Sequence, residues 1–223
     1  MTAENIINII TSIITCLATI TSSVLAVVAI FQTKKQIELS NKQNLFKDRV
    51  TGYLILKGLI NLYNENRKQI EEEKKEEIYS NCEFLFYGMI NNSYLEPMGE
   101  VMKSPLHNPE QKEFLKLLED LRNNAEKMEF IFEGEVAIKI KEFMLAYAEL
   151  LMELYKYRIL IDKMSEYAKS YPVVDINKAA EDMKEIDYRN RLFNCFENIK
   201  NKFAMLENID MKVITEQIKI KDK

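Results

Sequence analysis

Between Ile6 and Thr33 the sequence has no Asp, Glu, Lys or Arg, although those four types make up 30% of the chain. The apolar run inside that window, Ile6 to Phe31, reads IINIITSIITCLATITSSVLAVVAIF. As a helix rising about 1.5 Å per residue it extends roughly 39 Å, enough to cross a hydrocarbon core of about 30 Å with tilt. A secretory signal peptide is the competing reading. The residues ahead of the run carry Glu4 and no Lys or Arg, the run is long, and basic residues follow it, so a permanent anchor is expected over residues 1–33.

Orientation follows from the flanks. From Lys34 to Arg49 the basic residues Lys34, Lys35, Lys42, Lys47 and Arg49 outnumber the acids Glu38 and Asp48. The positive-inside rule then puts the N-terminus outside and the C-terminal domain in the cytoplasm, at a cell inner membrane. Lys34, Lys35 and Lys42 are candidate headgroup contacts, making membrane lipid the first expected partner. The three cysteines, Cys16, Cys82 and Cys195, form no CxxC pair, and no disulfide framework is expected. A net charge of −4 singles out no nucleic-acid partner.

Small residues are unevenly distributed around the anchor. At about 100° per residue, Thr11, Thr15, Thr19 and Ser23 form an i, i+4 ladder, and Ala18, Ser22 and Ala26 form a second row beside it. Most of the isoleucines, leucines and valines fall on the opposite side, although Thr21 lies among them. Small-xxx-small rows let helix backbones approach closely and let hydroxyls bond across the contact. No second uncharged stretch of this length occurs, so the expected mate is another copy and the chain a homo-oligomer. The competing reading is that each hydroxyl bonds its own i−4 carbonyl and needs no mate.

The rest of the chain reads as helix. Only 5 Gly and 4 Pro are present, too few for many short strands or for a glycine-rich phosphate cradle. The expected fold is all-α: the anchor, a stalk helix over 34–66 with a break near Ser40-Asn41, then an antiparallel helical bundle of about five helices over 67–223. Phe46, Val50, Tyr53, Leu56, Ile60 and Tyr63 form the stalk's apolar stripe, and the run from Glu71 to Glu77 is expected as a solvated helix start leading through Ile78, Cys82, Leu85 and Met89. Residues Asn91 to Asn108 are the longest expected loop and the first place to look for a partner contact.

Asn108-Pro109-Glu110 is a strong helix start. After it Phe114, Leu118, Leu121, Ala125, Met128 and Phe132 alternate 4,3 in spacing, and the alternation resumes from Val136 through Ile140, Phe143, Tyr147, Leu150, Leu154, Tyr157, Ile161 and Met164 to Ala168. Extra apolar residues at Leu145, Leu151, Met152 and Ile159 widen that second stripe, as a central bundle helix requires. Tyr171-Pro172 ends it, Asp175 caps a last long helix, and Leu192, Phe196, Ile199, Phe203 and Leu206 give its buried face. Beyond Ile209 a short helix is expected, with the last residues frayed.

Catalytic chemistry has little to work with. His107 is the only histidine, which excludes any site needing two. No GxxxxGK[ST], GxSxG, HExxH or GxGxxG occurs, and no Arg precedes His107 at the spacing that helical ribonucleases of the HEPN type require. Glu149 and Glu153 share a helix face and are expected as surface charges or as partners of Lys156 and Arg158. No catalytic residue, cofactor or metal is expected.

The stretch Ile37 to Arg49, with its Leu45-Phe46-x-x-Arg49, resembles a segment that opens a cytoplasmic helix in uncharacterised bacterial single-pass membrane proteins. Glu129-Phe130-Ile131-Phe132 and the following Glu135-Val136 resemble a second element of that group. The resemblance implies a bacterial or phage-related helical membrane protein and brings no activity. On the residues' own chemistry, Leu45 and Phe46 read as core, while Arg49 reads as paired with an acid or a headgroup.

The expected function is thus a non-enzymatic interaction or scaffold module at the inner membrane face, with a protein partner the sequence does not name. The alternative is an oligomeric membrane effector, pore-forming or toxin-like and serving phage defence, in which the Ser/Thr wall of several copies lines or seals a channel.

Overall fold

The structure is a computed structural model that describes residues 3–72, 77–103, 108–170, 175–207 and 211–219. Every regular element among them is helical. In order these are α1 (Ala3–Glu72), α2 (Cys82–Met89), a 3₁₀ turn (Glu96–Gly99), α3 (Glu100–Lys103), α4 (Asn108–Ile131), α5 (Glu135–Ser170), α6 (Ile176–Asp182), α7 (Glu185–Glu207) and α8 (Met211–Ile218). The chain divides into two compact units, Met1–Lys47 and Asp48–Lys223.

Within the first unit, α1 buries nothing: each described residue up to Lys47 is exposed. It is the one described helix long and apolar enough to cross a membrane. The break expected near Ser40-Asn41 is not seen, and both residues are helical. Leu45 and Phe46 are 38% and 39% exposed, so the expectation that they belong to the core is corrected.

In the second unit α5 is the centre. It packs against α2, α4, α6 and α7, and its buried residues encircle it, Met144, Ala148, Leu151 and Tyr155 lying outside the 4,3 stripe. The stripes read from the sequence on α4 and α7 are buried at each position. The part of α1 that belongs to this unit buries Gly52, Leu56, Leu59, Leu62, Tyr63 and Ile70, inside the segment expected as a stalk. Its stripe is therefore shifted from the one read at Phe46, Val50 and Ile60, because the pattern runs through a glycine. A Cβ on Gly52 would lie 2.9 Å from Met128 Cε and 3.0 Å from Ile131 Cδ1, so the missing side chain is what lets α4 approach. Tyr63 secures the other end, its ring 4.4 Å from that of Phe203 and 6.2 Å edge-on from that of Phe143.

Three further expectations are corrected. Glu71 and Glu72 belong to α1 rather than to the next helix, residues 73–76 of that expected helix start lie outside the described residues, and Ile78 precedes α2. The described part of the segment expected as the longest loop, up to Lys103, is helical in part and packed: Leu95, Met98, Val101 and Met102 are buried, and the side chain of Asn92 accepts from the backbone N–H of Tyr94 and Leu95 to turn the chain. The last long helix is broken in two. Asp175 does cap, accepting from Lys178 N at 2.8 Å, but it caps the short α6. At Lys184 the backbone turns left-handed, φ 54°, and α7 restarts at Glu185. His107, Tyr171-Pro172 and the residues from 220 onward lie outside the described residues.

Candidate functional site

The residues singled out in the anchor all lie on α1 in the first unit. Thr11, Thr15, Ala18, Thr19, Ser22, Ser23 and Ala26 are exposed there, and a shallow groove runs along Asn8, Thr11, Ser12, Thr15, Cys16 and Thr19. The hydroxyls follow one geometry. Thr11, Ser12, Thr15, Thr19, Thr21, Ser22, Ser23 and Thr33 each donate to the carbonyl four residues earlier, at 2.8–2.9 Å. This is how a helix without water satisfies polar side chains from its own backbone. Thr21, which fitted neither row, is accounted for in the same way. Around this face the side chains of Ile7, Ile14, Leu17 and Leu25 are more than half exposed, an apolar surface in keeping with a candidate membrane span.

Lys34, Lys35 and Lys42 extend the same helix beyond its uncharged part. All three are exposed, and none has a carboxylate within ion-pair distance among the described residues. Lys35 and Lys42, seven residues apart, share a face, while Lys34 is about 100° away from Lys35. The helix thus offers cations free to meet a charged surface.

The second unit holds a polar centre that sequence reading missed. Tyr157 donates its hydroxyl to Glu185 and accepts from the backbone N–H of Tyr79 at 3.0 Å. Arg189 pairs with the other oxygen of Glu185 at 3.2 Å, and Glu185 is only 2% exposed. The group ties the segment before α2 to α5 and α7. Burial pushes the Tyr157 hydroxyl up, so it stays a donor. The signal was present in the sequence: Glu185 and Arg189 continue the 4,3 spacing of Leu192, Phe196, Ile199 and Phe203, placing two charges on an apolar stripe.

Arg49 is the second missed arrangement. Its guanidinium donates to the carbonyl of Ile131 at the end of α4 and to that of Gln217 in the last turn of α8, at 2.5 and 2.6 Å. Both acceptors are carbonyls at the negative ends of helix dipoles. Glu133 stands 3.7 Å from the same guanidinium, so the expected acid partner is found. Gln217 adds a reciprocal pair, accepting from Glu133 N at 2.8 Å and donating to Glu133 O at 3.2 Å. Together these bonds fasten α8 to the turn between α4 and α5.

Among the carboxylates named earlier, Glu149 is exposed, whereas Glu153 is 8% exposed and pairs with Lys156 at 2.5 Å and with Arg191 at 3.6 Å. Arg158 turns elsewhere, to Glu83 on α2 at 3.0 Å and to Asp162. Cys82 and Cys195 are buried thiols, pushed up to about 11 and about 12 chiefly by desolvation, and so are inert at neutral pH.

Comparison with protein-family models, with curated proteins and with solved structures finds no match to this chain. The geometry defines the class alone: an all-helical protein with one helix of membrane-spanning length and apolarity, followed by a packed helical unit.

Proposed function

We propose that this chain is a non-enzymatic, single-pass protein of a bacterial inner membrane, with its N-terminus outside and its helical bundle in the cytoplasm. The anchor holds the bundle at the inner membrane face, where the bundle binds a protein partner. Lys34, Lys35 and Lys42 rest against lipid headgroups, and the rows through Thr15 and Ser22 bring copies together. The observation that carries this reading is the exposed first part of α1, uncharged from Ile6 to Thr33, in a chain whose second unit has its own core already buried. Such a helix has no burial site within its own unit, and lipid supplies one. The buried Tyr157, Glu185 and Arg189 bind one another, which supports a structural part for them rather than chemistry on a substrate.

The groove along Asn8 to Thr19 favours one second reading, in which several copies form a channel and the protein is a membrane effector of the phage-defence kind. Crosslinking in native membranes, followed by affinity recovery, separates the two. A scaffold recovers a second protein species. It keeps that species when Thr15, Thr19 and Ser23 are replaced by Leu. An effector recovers only itself, loses its oligomers in the triple variant, and depolarises a membrane-potential dye on overproduction. Recovery of the protein in the soluble fraction after gentle lysis sinks both readings.

A further inference from the structure

A cavity of about 330 Å³ lies on the outer side of α5 and α7, lined by Lys156, Ile159, Leu160, Lys163, Tyr188 and Arg191. Its size is at the small end of the roughly 300–1,000 Å³ seen for small-molecule sites, too small for a protein segment of any length. The three ionised side chains on its wall are all cations, in a chain whose net charge is −4. Beneath them the nearly buried Glu153 holds Lys156 and Arg191 by ion pairs and offsets one positive charge. Arg191 is further fixed by lying over the Tyr188 ring, 4.3 Å from its centroid. Lys163 has no carboxylate partner among the described residues. The remaining walls, Ile159, Leu160 and the Tyr188 ring, are apolar.

We propose that this cavity binds a small organic phosphate monoester, its phosphate held by Lys156, Lys163 and Arg191 and its organic part resting on Ile159, Leu160 and Tyr188. The charge fits. Three cations less one carboxylate leave a surplus of two positive charges, and a phosphate monoester carries about −1.5 to −2 at pH 7. The side-chain chemistry fits as well, since a guanidinium lying over a ring is held in place to offer paired N–H groups to phosphate oxygens while two ammonium groups supply point charge. The ester can be free or belong to a lipid headgroup, and the test separates these sources. The assignment does not depend on the anchor or on a protein partner.

The full chain in phosphatidylcholine nanodiscs is titrated calorimetrically with adenosine monophosphate and with phenyl phosphate. Adenosine and inorganic phosphate serve as the two halves of the ligand. Both esters are expected to bind, adenosine to give no heat, and inorganic phosphate to bind at least about tenfold more weakly. Affinity for the esters should fall below about pH 6, where the monoester loses its second charge. Lys163→Glu should weaken binding at least about tenfold with an unchanged circular dichroism melt, Arg191→Gln should weaken it while leaving Lys156 on Glu153, and Lys127→Glu, on α4 near the α4–α5 turn, should leave it intact. Repeating the titration with phosphatidic acid in the disc identifies the source: an unchanged affinity marks a free ester, and a loss of about tenfold marks a competing headgroup. No heat with either ester in phosphatidylcholine discs, ester affinity matched by inorganic phosphate, or affinities equal in the native chain and Lys163→Glu each overturns the proposal.

Discussion

Arg49 serves three oxygens of two helices and a turn, and no other planar, always-charged group can do so from that position. Arg49→Ala leaves two part-buried carbonyls without donors and should cost about 1.5–3 kcal/mol, read as a lower urea midpoint. Arg49→Lys should recover only part of the loss, because one ammonium cannot span both carbonyls. Tyr63 is the opposite case. Its hydroxyl is buried with no hydrogen-bond partner among the described residues, while its ring contacts Phe143 and Phe203. Tyr63→Phe keeps the ring and removes the orphan, and should leave stability unchanged or raise it by about 1 kcal/mol. A midpoint lowered by the change would mean that the hydroxyl has a partner after all. At this scale the sequence was hardest to read. An arginine after Leu-Phe looks like any surface cation until the ends of α4 and α8 are known to meet it. Glu185 and Arg189 could have been found from their place on an apolar stripe.

Helices with a strict 4,3 alternation were legible: α4 and α7 bury the residues that the spacing names, and α5 buries most of its own, with Val136, Ile161 and Ala168 only partly covered. The extra apolar positions on α5 already marked it as the helix surrounded by others. The register on α1 was misread because Gly52 sits on the buried face and carries no hydropathy to count, although its smallness is what the contact needs. Glycine acts differently in the turn after α4, where Gly134 has φ 75° and open space around its Cα. Gly134→Ala meets no clash, yet it forces an L-residue into the left-handed region and should cost about 1–2 kcal/mol by thermal or urea unfolding. A null effect would show that the turn can relax into an ordinary conformation. The break between α6 and α7 was not legible, because Lys184 has none of the sequence signs of a left-handed residue.

For the whole molecule, the sequence yielded the all-helical class and the membrane-spanning candidate, since both rest on composition and length. Function was not legible, because no group of residues in the chain is tied by its spacing to one reaction. Stability against pH can be derived. Cys82, Cys195 and Tyr63 are pushed up to about 11, 12 and 12 by burial, whereas unfolded thiols and phenols titrate near about 8.5 and 10. Each folded value lies above its unfolded one, so the native state holds the extra protons in that window. Their contribution is complete below about pH 8.5 and is lost as pH rises toward about 12, so the urea midpoint should decline from about pH 9 upward. A midpoint flat to about pH 11 would contradict the burial of these groups. The hydroxyls of the anchor carry a different consequence. Each of these hydroxyls lies 2.8–2.9 Å from a carbonyl of its own helix, so a proton donated there is not also offered to a second copy meeting along those rows. On the proposed reading that copies associate there, cohesion rests mainly on close van der Waals fit along the small-residue rows, a weak and readily reversed adhesion.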